Sequence, residues 1–182
     1  KKEEIKVMNN IRFEDLNKKV MLATILGTEQ ATLTKFPYLR RIWQTNTEEE
    51  RLLGVSLTGI MDNELTSGKK NGLEETLTKL REIAVETNKE WSAIFGIPPS
   101  TAITCVKPSG TVSQLVDSSS GIHPRHSSYY IRTVRGDNKD PLTQFLKDSG
   151  VPSEDDFMKP DTTTVFSFPM KSPKKSVKRD DM

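Results

Sequence analysis

Residues 101–116 read TAITCVKPSGTVSQLV, and this stretch decides the fold. Its first six residues are mostly apolar or β-branched, which predicts a strand over residues 101–106. Pro108 cannot donate to a sheet ladder and therefore ends that strand. Gly110 permits a positive φ and a close approach of the backbone to a ligand. Residues 112–116 can begin a helix, so the predicted unit is a strand, a glycine turn and a helix.

A turn of this kind can bind an anion. The first amides of a helix have no partner within that helix, and three hydroxyl residues lie beside them, Ser109, Thr111 and Ser113. Such a turn suits a phosphate or a carboxylate. A purely structural N-cap explains the same residues. The complete Walker pattern G-x-x-x-x-G-K-[ST] does not occur in the sequence, which disfavours a Walker-type NTPase.

Helical signals occur in four places. They cover residues 13–26, a start at residue 47, residues 73–95 and residues 141–149. Asp140 is predicted to cap the last of these helices, which opens with Pro141 and buries Leu142, Phe145 and Leu146.

Strands are predicted between the helices, over residues 55–60, 101–106, 129–135 and 162–168. Residues 66–72 and 152–160 are predicted to be loops. Because strands and helices alternate along the chain, we expect an α/β fold built from parallel units.

Composition narrows the classes of partner. The 182 residues include 27 basic and 25 acidic side chains, for a formal net charge of +2. This near balance argues against DNA or RNA as a partner, and the basic residues at 171–179 are predicted to form a solvated tail. The one cysteine fits a reduced, cytoplasmic location. No apolar run approaches the roughly 18 residues that a membrane span needs, so we expect no membrane association.

Three strings of residues, in order along the chain, resemble the phosphate-loop region of ribonucleotide reductases. They are TCVKPSGTVS at 104–113, GIHP at 121–124 and YYIR at 129–132. Residues 23–28 and 50–60 fit the same family. The resemblance is strongest to the adenosylcobalamin-dependent class that acts on ribonucleoside triphosphates, and it runs over nearly the whole chain.

The resemblance implies a fold and a site. The fold is an α/β barrel of ten strands, of which residues 1–182 would be a partial catalytic domain without the finger loop and the C-terminal arm. The substrate phosphates would be held by the residues of one loop, Pro108, Ser109, Gly110, Thr111, Val112 and Ser113. A second segment would lie near the substrate pocket, formed by Gly121, Ile122, His123 and Pro124.

The resemblance also implies an activity, which is radical reduction of the 2′-hydroxyl of a ribonucleoside triphosphate to make deoxyribonucleotides for DNA replication. The cofactor would be adenosylcobalamin. The partners would be the substrate, the remainder of the barrel with its radical cysteine, and a thiol reductant. The chain by itself is expected to be inactive, because it lacks the cysteine pair that reduces the nucleotide. Two alternatives stay open: a non-catalytic nucleotide- or phosphate-binding module, and a split-gene product that needs a partner chain.

Several other residues allow two interpretations. Cys105 lacks the flanking Pro and Gly of the radical cysteine and is predicted to be a small buried residue. His123 and His126 have no third metal ligand at a convincing spacing; His123 is predicted to lie in a loop beside the pocket, with acid–base chemistry as the alternative. Arg132 and Arg135 could reach phosphates or the cofactor, or could mark an exposed sheet edge.

Overall fold

The structure, a computed structural model, describes residues 4–6 and 12–182. In chain order, its elements are β1 (Glu4–Lys6), α1 (Phe13–Gln30), α2 (Arg41–Glu50), β2 (Ser56–Thr58), a 3-10 turn (Ile60–Asp62), α3 (Leu73–Phe95), α4 (Val112–Leu115), β3 (Tyr129–Asp137), α5 (Pro141–Asp148), β4 (Ser153–Asp155), β5 (Thr163–Lys171) and a final 3-10 turn (Arg179–Asp181). The chain divides into two compact units. The first unit comprises the described residues up to Arg125 with Lys175–Val177 and Asp181–Met182, and the second comprises His126–Lys174 with Lys178–Asp180.

The core of the first unit forms where α1 packs against α3. It contains six buried apolar side chains, Leu16, Val20, Val55, Leu80, Ala84 and Ile103. The four-residue spacing of Leu16 and Val20 puts them on one face of α1, and that of Leu80 and Ala84 puts them on one face of α3. The helix predicted over residues 73–95 is confirmed, and α1 continues four residues beyond its predicted end. Within α1, the buried hydroxyls of Thr24 and Thr28 donate to the carbonyls of Val20 and Thr24, one turn earlier, so both hydroxyls are satisfied inside the core.

A buried amide connects the end of α3 to α1. Asn88 is fully buried, and its Nδ2 donates to Thr28 Oγ1 at 2.9 Å and to Ser100 Oγ at 3.0 Å. Its Oδ1 accepts the backbone N–H of Ser100 at 2.9 Å. The turn that follows Gly96 is therefore fixed against both helices, and it delivers the chain into residues 101–106.

Two strand predictions in the first unit are only partly confirmed. Residues 102–105 run beside residues 53–55, where Ile103 O accepts from Val55 N and Val55 O accepts from Cys105 N, but the pairing reaches only one parallel bridge, Val55 to Thr104. The strand predicted over residues 55–60 is limited to β2, which pairs in parallel with β1. It ends because Gly59, with φ 76°, turns the chain into the 3-10 turn.

The prediction that a helix starts at residue 47 is wrong. Thr47 lies in the last turn of α2, which begins at Arg41 and ends at Glu50, before the left-handed residue Arg51. The glutamates after Thr47 suggested a helix start because acidic side chains favour that end of the dipole. Here Glu48 instead accepts hydrogen bonds from Thr34 and Gln44, which tie it to neighbouring residues at the helix end.

The second unit is an antiparallel sheet in the order β3-β5-β4. Tyr129 pairs with Lys171 at one end of the β3–β5 ladder and Asp137 with Thr163 at the other. The α/β class is thus confirmed, whereas the expectation of parallel units is wrong for these strands. β4 lies inside the predicted loop 152–160 and reverses the chain once more, so that β5 returns antiparallel to β3.

The helix of this unit is capped as predicted, but its burial differs. The Asp140 carboxylate accepts the Leu142 N–H at 2.9 Å, and Pro141 occupies the first helical position. Leu142 and Phe145 are nevertheless 59% and 63% exposed, so their predicted burial is wrong. Thr143 is buried instead, against Gly136 of β3, where a Cβ would collide with its hydroxyl.

Candidate functional site

The ten residues predicted to bind or surround a substrate all lie in the first unit, in two short segments. The first is the phosphate loop, which we define as residues 107–113. It begins where Lys107 N donates to Ser56 Oγ at 3.2 Å and ends in the first turn of α4. The second is residues 121–124. The structure brings these two segments together through the side chain of Ser109.

The hydroxyl of Ser109 is a junction between three parts of the chain. Ser109 is buried, and its Oγ accepts the Gly121 N–H at 2.8 Å. The same oxygen lies 2.7 Å from Oγ1 of Thr58, the buried last residue of β2. The phosphate loop, the 121–124 segment and β2 are thus joined at one hydroxyl.

Ser113 is also turned inward. It is fully buried and its hydroxyl donates to the carbonyl of Ser109, while its own carbonyl accepts the Ser118 N–H at 2.9 Å. Two of the three hydroxyls expected beside an anion therefore bond within the protein. Gly110 and Thr111 remain exposed, and in the described part of the chain no group accepts a hydrogen bond from the amides of Gly110, Thr111 or Val112. At the protein surface, the loop therefore offers backbone N–H donors and the exposed residue Thr111.

The glycine that the site requires is Gly121. Gly110 does not adopt a positive φ, and a Cβ added to it would meet no atom within 4 Å, so the prediction of a special conformation there is wrong. Gly121 has φ 51°, and a Cβ would lie 3.1 Å from the carbonyl oxygen of Lys107. The close approach occurs between the two segments, which a pattern confined to residues 107–113 does not reveal.

The rest of the 121–124 segment lies at the surface. Ile122 and His123 are exposed, and the backbone N–H of His123 donates to Ser120 O at 2.8 Å, which closes a turn. His123 therefore occupies a loop that begins at the buried Gly121. Pro124 is half-buried and precedes Arg125, where the chain returns to the interior.

A buried ion pair, which the sequence did not reveal, holds this loop from its other end. Arg125 and Asp62 are each 3% exposed, and the guanidinium Nε and Nη2 meet the two carboxylate oxygens at 2.9 Å each. Asp62 Oδ2 also accepts the Ser119 N–H at 2.8 Å, and Arg125 donates to the carbonyl of Asp117 at 2.9 Å. This paired geometry fixes both ends of residues 117–125 on the 3-10 turn.

The structure also gives the environments of Cys105, Arg132 and Arg135. Cys105 is exposed, which contradicts its predicted burial, and among the described residues the pairing beside it is the single bridge of Val55 to Thr104. β3 lies at the edge of its sheet, which favours the edge interpretation of Arg132 and Arg135. Arg135 pairs with Asp156 at 2.6 Å, and this hydrogen bond, with the amides of Met158 and Lys159, lowers the pKa of the Asp156 carboxyl.

His126 lies at the surface of the second unit. His126 is exposed and meets the Tyr130 ring edge-on, with the ring centroids 5.8 Å apart. Over residues 4–6 and 12–182, no group of three or more His, Cys, Asp or Glu side chains could hold a metal ion. Within the same residues, no helix has both the length and the apolar content needed to cross a membrane.

Comparison with solved structures gives the fold to which this site belongs. Over 97% of its length, the chain superimposes on 28% of a B12-dependent (class II) ribonucleotide reductase with a TM-score of 0.77 and 24% sequence identity. The two chains therefore share this part of their fold.

Comparison of sequences then gives the relatives. The chain is 29% identical over 164 residues to the adenosylcobalamin-dependent ribonucleoside-triphosphate reductase of Lactobacillus delbrueckii subsp. bulgaricus, a match that covers 77% of the chain and 22% of that relative. It is 32% identical over 149 residues to the protein of the same name from Levilactobacillus brevis, over 69% of the chain and 20% of the relative. No family model matches the chain. The resemblance predicted from the motifs is confirmed: this chain is a relative of the class II ribonucleotide reductases, and it spans about a fifth of the length of the curated relatives it matches.

Proposed function

We propose that this chain supplies the substrate phosphate-binding loop of a ribonucleoside-triphosphate reductase. One observation carries the proposal: the buried Ser109 hydroxyl joins the phosphate loop to Gly121, within a segment whose relatives are named as such reductases. The complete enzyme would reduce the 2′-hydroxyl of its substrate by radical chemistry. In this proposal residues 1–182 are a partial catalytic domain of a ten-stranded barrel.

The geometry suits a triphosphate because its donors are held in place before the ligand arrives. Ser109 and Ser113 fix the loop from inside, and Gly110 and Thr111 are exposed, so the backbone amides of this turn need little rearrangement to face an anion. Preorganised backbone donors bind negative charge without a further entropic cost. The role of the loop is to position the substrate and neutralise its charge, and it breaks no bond.

The cofactor and the radical cysteine belong, in this proposal, to the remainder of the barrel. The donors of the phosphate loop are amides and hydroxyls, which suit an anion, and they include no nitrogen or sulfur ligand for the cobalt. Adenosylcobalamin would supply the radical when bound elsewhere in the complete enzyme. A thiol reductant would complete the cycle, and the free Cys105 thiol is consistent with the reducing cytoplasm in which we place the enzyme.

Equilibrium binding of ATP and CTP tests the proposal. The chain is titrated alone and then together with a polypeptide that carries the remainder of the reductase barrel. We expect binding in the mixture and none of useful affinity in the chain alone, because the loop is one wall of the pocket. Binding by the chain alone at the same affinity would favour the alternative, a phosphate-binding module without catalysis.

Thr111→Glu tests the loop itself. Thr111 is exposed, so the substitution leaves the buried contacts intact and adds a negative charge where the phosphates are proposed to lie. We expect the dissociation constant for ATP in the mixture to rise tenfold or more, which is about 1.4 kcal/mol. The matched control is Thr133→Glu, at an exposed position of β3. Equal affinities of the two variants would contradict the proposal.

A further inference from the structure

We propose that Thr58 is a positioning residue for the phosphate loop, although it lies 51 residues before Ser109 in the sequence. This inference rests on the proposed function of the loop. Thr58 is itself inaccessible to a ligand, since it is 1% exposed at the end of β2. Its effect on a ligand would act through Ser109.

The contacts of Thr58 form a continuous chain of hydrogen bonds. The Gly121 N–H donates to Ser109 Oγ at 2.8 Å, and Ser109 Oγ lies 2.7 Å from Thr58 Oγ1. Thr58 Oγ1 donates in turn to the carbonyl of Ser119 at 3.3 Å. This series of hydrogen bonds starts and ends on the loop that carries Gly121, and between those points it passes through the phosphate loop and β2.

The Ser109 and Thr58 hydroxyls both use their hydrogen-bonding capacity inside the protein. A hydroxyl carries one proton and two acceptor lone pairs. Either hydroxyl can donate across the 2.7 Å contact between them. The Gly121 N–H donates to both oxygens, at 2.8 Å to Ser109 Oγ and at 3.3 Å to Thr58 Oγ1. The Ser109 hydroxyl is therefore an anchor of the phosphate loop, while the loop amides are left to face the ligand.

The Ser119 end of this series of hydrogen bonds is itself fixed. The Ser119 carbonyl also accepts the Gly59 N–H at 2.9 Å, and the Ser119 N–H is held by the buried carboxylate of Asp62. Thr58 thus connects the backbone of the phosphate loop to the 3-10 turn at Ile60–Asp62, which is held by the buried ion pair. Other buried threonines differ: Thr24 and Thr28 return their protons to the preceding turn of their own helix.

Loss of the Thr58 hydroxyl should displace the phosphate loop without creating a cavity in the core. Valine has the same shape as threonine, so Thr58→Val removes the partner of the buried Ser109 hydroxyl in the 2.7 Å contact, and burying a hydroxyl without its partner is costly. Ser109 must then reorient, and the loop backbone shifts with it. Small displacements of preorganised donors have large effects on binding to a charged ligand. Serine at position 58 keeps the hydroxyl and should keep the chain of bonds.

The experiment measures ATP affinity in the mixture of this chain with the remainder of the reductase, for wild type, Thr58→Val, Thr58→Ser and Thr24→Val. We expect Thr58→Val to raise the dissociation constant about tenfold and Thr58→Ser to stay within about twofold of wild type. Thr24→Val, a buried threonine of α1, is the control for a purely structural loss and should leave the affinity unchanged at a similar fall in melting temperature. An unchanged affinity of Thr58→Val, or an equal loss in Thr24→Val, would overturn the inference.

Ser109→Ala breaks the same chain from its other side and keeps the test open if Thr58→Val does not fold. If both residues act through one series of hydrogen bonds, Ser109→Ala should lose as much affinity as Thr58→Val. The double variant should lose no more than either single variant, because the two losses are not additive. A larger loss in Ser109→Ala that adds to that of Thr58→Val would mean that Ser109 contacts the phosphate directly, which contradicts the inference. Failure of the wild-type mixture to bind ATP would instead overturn the proposed function, and this inference with it.

Discussion

At the scale of single residues, the buried ion pair of Asp62 and Arg125 should contribute strongly to the stability of the first unit. Arg125→Met should destabilise the first unit by about 3–5 kcal/mol, because it leaves a buried carboxylate without its cation. Urea unfolding followed by circular dichroism measures the loss. Arg12→Met is the matched control, since Arg12 pairs with Asp15 at the surface and exposed pairs contribute little. Equal unfolding midpoints for the two variants would show that the buried pair does not hold the unit together.

The sequence revealed some of these residues and not others, depending on how far apart the partners lie. Asp140 was predictable as a cap because its partner, the Leu142 amide, is two residues away. Asp62 and Arg125 are 63 residues apart, and no local pattern joins them. The same limit explains the exchange of roles between Gly110 and Gly121, since the crowding at Gly121 comes from the carbonyl of Lys107.

At the scale of elements, the Asn88 amide predicts how the turn after α3 is held. Asn88→Ala should lower the free energy of unfolding by roughly 1–3 kcal/mol, because the half-buried Ser100 N–H and the buried Thr28 hydroxyl lose their partner. The measurement is again a urea transition, now with amide hydrogen exchange at Ser100 as a local readout. Asn46→Ala, at an exposed position of α2, serves as the control. Fast exchange at Ser100 in wild type would contradict this account of the turn.

Elements with a strong period were predictable, and elements defined by a partner strand were not. The apolar spacing of α3 gave its bounds because that helix buries one face over its whole length. The run at 101–106 has the composition of a strand, but in the described part of the chain it forms a single bridge, to Val55, so its length depends on Val55 and its neighbours. β4 has no apolar alternation, and all three of its residues are exposed, so it resembles a loop in sequence.

At the scale of the whole molecule, we expect the chain by itself to lack reductase activity. With adenosylcobalamin, a ribonucleoside triphosphate and a dithiol, it should form no deoxyribonucleotide, because its single cysteine cannot supply the thiol pair that the proposed reaction needs. Product formation is measured by chromatography, with the Lactobacillus delbrueckii reductase as the positive control. Turnover by the chain alone would contradict the prediction.

The whole fold was predictable in class and only partly in topology. Alternation of helices and strands indicates an α/β protein, and the motifs at 104–132 identified the reductase relatives, both of which are confirmed. Strand direction follows from the number of chain reversals, and one unrecognised strand between β3 and β5 changes it. The exposed apolar side chains of α5 likewise depend on what packs against them, which periodicity does not encode.

The exposed thiol of Cys105 provides a built-in reporter. It is the one cysteine of the chain and lies two residues before the start of the phosphate loop, so a single maleimide probe can be attached without engineering a new thiol. An environment-sensitive fluorophore at this position would register a ligand arriving at the neighbouring loop as a change in emission. The binding experiments described above could then be followed optically, at protein concentrations far below those that calorimetry requires.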